Sequence, residues 1–359
     1  MTPSPGFPSR VAAVDAMRAL ALLPVVVVNA LTYAELPDAG FFSSLAGAPW
    51  WDSAAVLAVA TLLQGKGIAL LMFLFGYSMG WARAPRQRLR RLLGVGLAHG
   101  GLLYQGDIVH QYALVGLWMQ GARRWRWPRL LRWTLVWTAV GSALVLLSLA
   151  LGFLVGFGEP TTGPRLVTAS TGSEWWWLGA SGFFGTLPWA LLFMGPGVVA
   201  VVSLGLIAGR LRLLHHRRWR PWWARAARWA GLMLVLNLVY GVWVVVELHQ
   251  SVGMAAVGTL AMTWLGPLTL AAWVPWLLLR VRWPAWLVHA GRNTLTMYIG
   301  SSLLIVLALA GPAAAWQPSP AELTLAAAMA WVALAALSAG AAARGWRLPL
   351  EALLAWRRA

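Results

Sequence analysis

Long apolar stretches alternate with short, arginine-rich polar stretches along most of the chain. Many of the apolar stretches approach the roughly 20 residues that an α-helix needs to cross the hydrocarbon core of a bilayer. The pattern therefore predicts an all-α fold, a polytopic transmembrane helical bundle with about ten spans. We place these spans at residues 12–33, 64–82, 92–106, 107–121, 133–157, 182–209, 229–247, 254–279, 293–310 and 322–342.

Some spans depart from the regular pattern. The third and fourth are short and share a turn at Gly106–Asp107, so we expect them to be tilted or to cross only part of the bilayer. Glycines break the second span at "QGKG" (64–67) and the sixth at "MGPG" (194–197). An inverted-repeat transporter usually carries such breaks in matching positions of its two halves, and the sequence shows no convincing symmetry of that kind.

The composition supports the same class of protein. Of the 359 residues, 60% are apolar and 11% are charged, whereas a soluble domain carries about 25% charged residues. The chain contains no cysteine, which excludes disulfides and thiolate metal sites. We expect a single transmembrane domain over 1–359, whose N-terminal part (11–157) holds a polar cluster and whose C-terminal part covers 182–359.

The basic residues lie almost entirely on one side of the predicted membrane. Of the 28 Lys and Arg residues, 25 fall in alternate loops and at the two ends of the chain, and Arg165 falls in the other set of loops. The positive-inside rule then places both termini in the cytoplasm. The charge indicates membrane lipids with anionic head groups as partners. It does not indicate nucleic acid, because no basic patch belongs to a soluble fold.

The arginine- and tryptophan-rich segments suit a membrane surface. The inner segment 210–228 is typical of a basic amphipathic helix on the cytoplasmic face. Tryptophans cluster at "RRWRWP" (123–128) and "SEWWWLG" (173–179), and tryptophan anchors proteins at membrane–water interfaces. We interpret both clusters as such anchors.

Asp15 and Arg18 stand three residues apart at the start of the first span. On a helix this spacing predicts a local ion pair near the inner interface, and a structural role is as plausible as a functional one. A cleaved signal peptide rarely tolerates such charges in its apolar part. We therefore expect the first span to be retained.

Polar groups inside spans are candidates for function, because a charge at the centre of a membrane helix costs about 3 kcal/mol. The topology places Lys66, Asp107 and His110 at a similar depth in the outer half, with Asn29 close to that level. His99 falls at about mid-depth. The spacing suits an interhelical hydrogen bond for His99, and no histidine has a second ligand at metal-binding spacing, so we expect no metal.

Asp107 and His110 share one helix face at positions i and i+3. A carboxylate beside an imidazole fixes its tautomer and stabilises its charged form, which suits a general base. Lys66 would stabilise an oxyanion. The alternative is structural: an Asp107–Lys66 ion pair caps the fourth span, and His110 bridges two helices.

Five motifs, taken together, resemble the YeiB-like bacterial inner-membrane proteins, also called domain of unknown function 418. Their order and spacing match over nearly the whole chain, and the Gly-Asp-Ile-Val-His-x-Tyr-Ala-Leu piece is the most specific. The motifs are "DAMRALALLPVVVVNA" (15–30), "GKGIALLMFLFGYSMG" (65–80), "RRLLGVGLAHGGLLYQGDIVHQYALVGL" (90–117), "GRNTLTMYIGSSLL" (291–304) and "GWRLPLEALL" (345–354).

The resemblance implies a relation to the transmembrane acyltransferase superfamily, which includes acyltransferase-3 proteins and the lysosomal heparan glucosaminide acetyltransferase. It implies transfer of an acyl group from cytoplasmic acyl-CoA to a sugar or another hydroxyl or amine acceptor. The "APWWD" piece (48–52) echoes that superfamily. However, Gly47 stands where the acetyltransferase branch has a catalytic histidine, and the outer loop 34–52 contains no histidine. That role would pass to His110 or His99, or be absent.

The first hypothesis is thus an acyltransferase in which His110, oriented by Asp107, is the base. Lys66 or Asn29 would steady the carbonyl oxygen, and inner arginines would bind CoA phosphates. Residues expected to bind substrate or donor are Asn29, His99, Arg18, Tyr112, Arg90 and Arg91.

Two alternatives remain open. In a transporter of a small anionic or amphipathic solute, the same cluster would be a mid-membrane substrate or proton site. In a non-catalytic membrane protein, the buried polar groups would only fix helix packing. An acyltransferase predicts a channel from the cytoplasmic side to His110, a transporter predicts a cavity able to open to both faces, and packing predicts no cavity near Lys66 and Asp107. The oligomeric state is also open.

Overall fold

In the computed structural model of the protein, the described residues are 12–34, 45–81, 86–155, 172–250, 264–309, 316 and 318–355. These residues are mostly helical and contain no strand, which confirms the all-α prediction for them. The helices are α1 (Ala12–Ala34), α2 (Trp50–Leu62), α3 (Lys66–Trp81), α4 (Arg86–Leu102), α5 (Val109–Trp118), α6 (Trp127–Val155), α7 (Gly172–Phe193), α8 (Gly195–Arg210), α9 (Arg220–Ala227), α10 (Ala230–Gln250), α11 (Gly266–Arg280), α12 (Ala285–Ala290), α13 (Thr294–Leu309), α14 (Pro320–Ala343) and α15 (Pro349–Ala355).

Five helical segments among the described residues are long and apolar enough to cross a membrane. They are α1, the Trp50–Trp81 segment made of α2 and α3, the Trp127–Leu147 part of α6, α10 up to His249, and α14. Helices α7 and α8 are bent by 59° and form a sixth segment if they are counted as one span. This set of helices is compatible with a membrane-embedded protein.

The predicted third and fourth spans correspond to α4 and α5. Helix α5 has 10 residues, about 15 Å of helix, against a hydrocarbon core of about 30 Å. Helix α4 has 17 residues, so both helices fall below the roughly 20 residues of a typical span, as their sequence indicates. Of the predicted eighth span, residues 254–263 lie outside the described residues, and most of the remainder is α11.

Helix α2 is a correction to the predicted spans, none of which covers Trp50–Leu62. The "APWWD" piece, assigned to an outer loop, runs into this helix. Pro49 holds the extended backbone before the first turn, and Asp52 lies within that turn. A carboxylate there interacts favourably with the helix dipole. Asp52 also accepts a hydrogen bond from the backbone N–H of Ala321 at 2.9 Å, which ties α2 to the start of α14.

Helix α1 forms the centre of the bundle. In its most apolar stretch 83% of the residues are buried, whereas the corresponding share is 22% in both α6 and α10. The outer helices instead expose large apolar side chains, among them Leu146, which is 62% exposed, and Val239, which is 63% exposed. Such surfaces are costly in water and match a lipid surrounding.

Helices α3 and α8 pack through glycines spaced four residues apart. A Cβ on Gly76 would lie 2.1 Å from the carbonyl oxygen of Val202, and one on Gly205 would lie 2.1 Å from that of Phe73. Gly80 and Gly209 continue the two rows, with similarly close approaches. Small residues at this spacing let membrane helices touch along their backbones.

Helices α4 and α5 form a close antiparallel pair joined by residues 103–108. Gly96 on α4 faces the first turn of α5, where an added Cβ would lie 2.4 Å from the backbone nitrogen of His110. The missing side chain lets α5 begin directly against α4. This contact sets the position of the loop that carries Asp107.

Helix α9 lies within the inner segment 210–228, where an amphipathic helix is expected. None of its residues is buried. The Arg225 guanidinium lies 5.3 Å from the centre of the Trp222 ring. This pairing of a cation and an aromatic ring suits a helix at a membrane surface.

Candidate functional site

Asp107 joins two histidines in the interior of the bundle. Its Oδ1 lies 2.8 Å from Nδ1 of His99, and its Oδ2 lies 2.8 Å from Nδ1 of His110. Each of the three residues exposes 3% of its surface or less. We refer to His99, Asp107 and His110 as the His–Asp–His cluster.

The local sequence explains how the cluster forms. Leu103 and Tyr104 end α4 with backbone bonds back to His99, and the chain turns so that the Asp107 N–H donates to the Tyr104 carbonyl. The Asp107 carboxylate then accepts the backbone N–H of His110 at 2.9 Å. That N–H belongs to the first turn of α5, whose donors have no partner within the helix. Asp107 therefore stabilises the helix start and orients both imidazoles.

Tyr298 on α13 completes the cluster from a distant part of the chain. Its hydroxyl donates to Asp107 Oδ1 at 3.3 Å, and its ring centre lies 4.8 Å from that of His99. Tyr298 was not among the predicted site residues, and it lies 191 positions from Asp107. A tyrosine inside a mostly apolar helix was the signal available, because a buried hydroxyl needs a partner.

The hydrogen bonds imply a definite arrangement of protons. An ionised carboxylate only accepts hydrogen bonds, so each imidazole presents a protonated Nδ1 to Asp107. This leaves Nε2 of each ring as the acceptor atom when the ring is neutral. Both Nε2 atoms are buried, and neither has a hydrogen-bond partner among the described residues. Two oriented imidazoles with unused acceptor atoms have the form of general bases.

Both Nδ1 atoms donate hydrogen bonds to the carboxylate, so the cluster is not arranged as a metal site. Among the residues that the structure describes, no group of three or more His, Asp or Glu side chains is arranged to hold a metal ion.

A cavity of about 300 Å³ runs beside the cluster. Residues of α1, α3, α4, α5, α13 and α15 line it. Ile108, Tyr112 and Tyr298 lie at the end next to Asp107. Arg88 also lines it, 11 residues before His99 on α4, or about 16 Å along the helix. The cavity therefore extends from the arginine-rich end of α4 to the tyrosines beside the cluster.

The charged residues of the cavity are partly engaged with one another. Arg18 donates to Asp15 at 3.0 Å, which confirms the predicted i, i+3 ion pair, and it also donates to the hydroxyl of Ser78. Arg88 and Arg292 bring further positive charge to the lining. The cavity thus combines an apolar and aromatic end with a cationic one.

The C-terminal helix α15 borders the cavity. Glu351 accepts the backbone N–H groups of Leu295 and Thr296, both at 3.0 Å, so its carboxylate caps α13 one turn before Tyr298. Arg91 donates to the carbonyl of Leu353 at 2.9 Å. These bonds hold α15 against α13 and α4.

Lys66 does not join the His–Asp–His cluster. It is buried, and its ammonium group donates to the carbonyl of Ala60 at 3.2 Å, beside the break between α2 and α3. No ion pair joins Lys66 to Asp107 among the described residues. The alternative Asp107–Lys66 pair is therefore wrong, because the imidazoles, a backbone N–H and Tyr298 engage the carboxylate.

The other predicted site residues lie in three places. His99 is a full member of the cluster and contacts Asp107 directly. Arg18 and Tyr112 both line the cavity. Asn29 is buried in α1 and is not part of the cavity lining.

Comparisons of the chain with protein-family models, curated proteins and solved structures find no match. The YeiB-like resemblance therefore depends on the sequence motifs.

Proposed function

We propose that the chain is a multi-pass protein of the bacterial inner membrane, of the YeiB-like kind, that transfers an acyl group. The donor is cytoplasmic acyl-CoA, and the acceptor is a sugar or another molecule with a hydroxyl or amine group. The observation that supports this best is the buried His–Asp–His cluster at the apolar end of a cavity with arginines at its other end.

The proposed topology has ten spans and both termini in the cytoplasm. The six long segments account for six spans, with α7 and α8 taken as one. Helices α4, α5, α11 and α13 supply the other four as short or tilted spans. This count keeps the arginine-rich loops on one side, as the positive-inside rule requires.

The proposed reaction uses the cluster as a base. Nε2 of one imidazole accepts the proton of the acceptor hydroxyl as its oxygen attacks the thioester carbonyl carbon. The new C–O bond forms and the C–S bond breaks, and the CoA thiolate leaves with the proton that the imidazolium returns. Asp107 orients the imidazole and stabilises its charged form, which is the usual role of a carboxylate beside a catalytic histidine.

The cavity supports a binding mode for the donor. Its volume of about 300 Å³ lies at the low end for small-molecule sites, which suits the acyl end and the thioester arm but not the whole nucleotide. Arg88 and Arg292 would then meet the CoA phosphates outside the narrow part. Arg91, expected from the sequence to do so, is engaged with α15.

Transport of a small anionic or amphipathic solute is the second candidate. The 59° bend between α7 and α8 supports it, since broken helices line the binding sites of many transporters. A transporter needs a cavity that can open to both faces, but the large cavity lies on one side of the cluster, which favours acyl transfer. The pocket beside Tyr104 and Gly100, at the other end of α4, measures only about 10 Å³.

Release of CoA thiol tests the proposed function. The protein is reconstituted in vesicles of phosphatidylethanolamine and phosphatidylglycerol, supplied with acetyl-CoA and glucosamine, and assayed with a thiol reagent. The chain has no cysteine of its own to react. We expect release by the wild type and none above empty vesicles when His99→Gln and His110→Gln are combined.

The matched control is His249→Gln, which changes an exposed histidine outside the cluster and should keep the wild-type rate. Equal release by the wild type and the double variant, or no release from the wild type with a range of acyl chain lengths and acceptors, would overturn the proposal.

A further inference from the structure

The two histidines of the cluster do not face the cavity equally. On α4, Arg88 and Leu92 line the cavity. His99 follows Leu92 by seven residues, which is two helical turns, so it lies on the same stripe of the helix. The cavity side of α4 therefore continues directly to His99.

His110 lies on the far side of α5. Ile108 and Tyr112 line the cavity, and His110 precedes Tyr112 by two residues, a rotation of about 200° around the helix. Its backbone packs on Gly96, and its ring meets the edge of Phe183 on α7, with ring centres 5.2 Å apart. Phe183 is 1% exposed and shields this side of the cluster.

Tyr298 is the side chain that stands between the cavity and His99. It lines the cavity on one side and contacts the His99 ring on the other. Its hydroxyl bond to Asp107 measures 3.3 Å, longer than the 2.7–2.8 Å typical of O–H···O bonds. One aromatic ring, held at its tip by this long hydrogen bond and by a bond with the backbone of Ile108, thus separates the cavity from the imidazole.

We infer that His99 is the histidine that meets a ligand in the cavity, and that Tyr298 must turn aside for this contact to form. Its assignment as the catalytic base rests on the proposed function, whereas its accessibility from the cavity does not. His110 then acts as a positioning residue, which holds Asp107 from the opposite side. The Nε2 of His99, which has no hydrogen-bond partner among the described residues, is the atom that takes the acceptor proton.

Chemical modification of the histidines tests this assignment without any acyl donor. Diethylpyrocarbonate reacts with unprotonated imidazole nitrogen, and peptide mass spectrometry reports each histidine of the purified full-length chain separately. In the wild type we expect modification of exposed His249 and protection of His99 and His110. In Tyr298→Ala, modification of His99 should rise several-fold while His110 stays protected.

Phe183→Ala is the reciprocal control, because it removes the ring that covers the other histidine. It should raise modification of His110 and leave His99 protected. Exposure of His110 without His99 by Tyr298→Ala, exposure of His99 without His110 by Phe183→Ala, or ready modification of His99 in the wild type would overturn the assignment. A change in overall fold would instead expose both histidines in either variant.

Tyr298→Phe covers the case in which Tyr298→Ala does not fold. It keeps the ring and its volume but loses the bond to Asp107, so His99 should become more reactive than in the wild type. If Tyr298→Ala gives no folded protein and His99 is as well protected in Tyr298→Phe as in the wild type, the result contradicts the claim that this bond keeps the Tyr298 ring over His99. Since no turnover is measured, this result and that of the thiol-release assay are independent.

Discussion

At the scale of single residues, Asp107 is the group on which the cluster depends. Its two oxygens accept bonds from His99, from the ring and the backbone of His110, and from Tyr298. A buried carboxylate is tolerated in an apolar interior only when its hydrogen-bonding capacity is filled in this way. The same bonds that hold the imidazoles therefore also offset the cost of burying the carboxylate.

Asp107→Asn should destabilise the protein strongly. The amide nitrogen donates where the carboxylate accepted, so it opposes one imidazole N–H and leaves it buried without a partner. A buried donor left without a partner costs about 1–3 kcal/mol, and more where the lost acceptor was charged, so thermal unfolding in detergent should show a large fall in Tm.

Asp52→Asn is the matched control for that substitution. Asp52 is equally buried, but among the described residues only one of its oxygens has a hydrogen-bond partner, the N–H of Ala321. An amide oxygen can keep that bond, so the loss should stay near 1 kcal/mol or less. A similar fall in Tm for both variants would contradict the claim that the cluster depends on the bonds of Asp107.

The residues of the cluster differ in how far the sequence reveals them. Asp107 and His110 are three residues apart on one short stretch, and such local spacing is readable on a helix. Tyr298 comes from another helix, and no local pattern encodes that contact. Lys66 was predicted to lie near Asp107 because the two residues have a similar predicted depth in the membrane. Depth does not fix the direction of a long side chain, and the Lys66 side chain turns back to Ala60.

At the scale of helices, close backbone contacts position the site. The α4–α5 contact at Gly96 places the start of α5, and the glycine rows of α3 and α8 hold the neighbouring wall. Apolar length predicted most of the long helices correctly. It missed α2, because a helix that continues into α3 across a three-residue break was interpreted as a loop followed by one span.

Gly96→Ala should disturb the cluster without touching any of its side chains. The new Cβ would lie 2.4 Å from the backbone nitrogen of His110, and backbone cannot yield as a flexible side chain does, so α5 must move. Overpacking of this kind costs about 1–3 kcal/mol. We expect a lower Tm and a slower release of CoA thiol.

Gly94→Ala is the control on the same helix, since a Cβ there meets nothing within 4 Å. Alanine favours a helix interior over glycine by about 0.5–1 kcal/mol, so this variant should be as stable as the wild type or slightly more so. Equal behaviour of the two variants would contradict the close contact of α4 and α5.

At the scale of the whole molecule, the cavity extends to the end of the bundle where the arginines gather. Arg88, Arg292 and the C-terminal helix α15 all lie there. If that end faces the cytoplasm, a cytoplasmic acyl-CoA reaches the cluster without crossing the membrane. The orientation of the chain is therefore part of the proposed mechanism.

Single cysteines introduced into this cysteine-free chain report its orientation. In intact cells whose outer membrane has been permeabilised, a membrane-impermeant maleimide should label Ala46→Cys. It should label Arg217→Cys and Ala355→Cys only after the inner membrane is opened. All three positions are exposed in the structure. Labelling of Arg217→Cys or Ala355→Cys in intact cells would reverse the proposed orientation.

Photo-crosslinking with an acyl-CoA analogue that carries a diazirine in its acyl chain tests the central claim most directly. The account predicts crosslinks to Leu92, Tyr112 or Tyr298, lost when unlabelled acyl-CoA competes and preserved when Asp52 is changed to Asn. Crosslinks confined to the lipid-facing surfaces of α6 and α10, or crosslinks that unlabelled acyl-CoA does not displace, would contradict it.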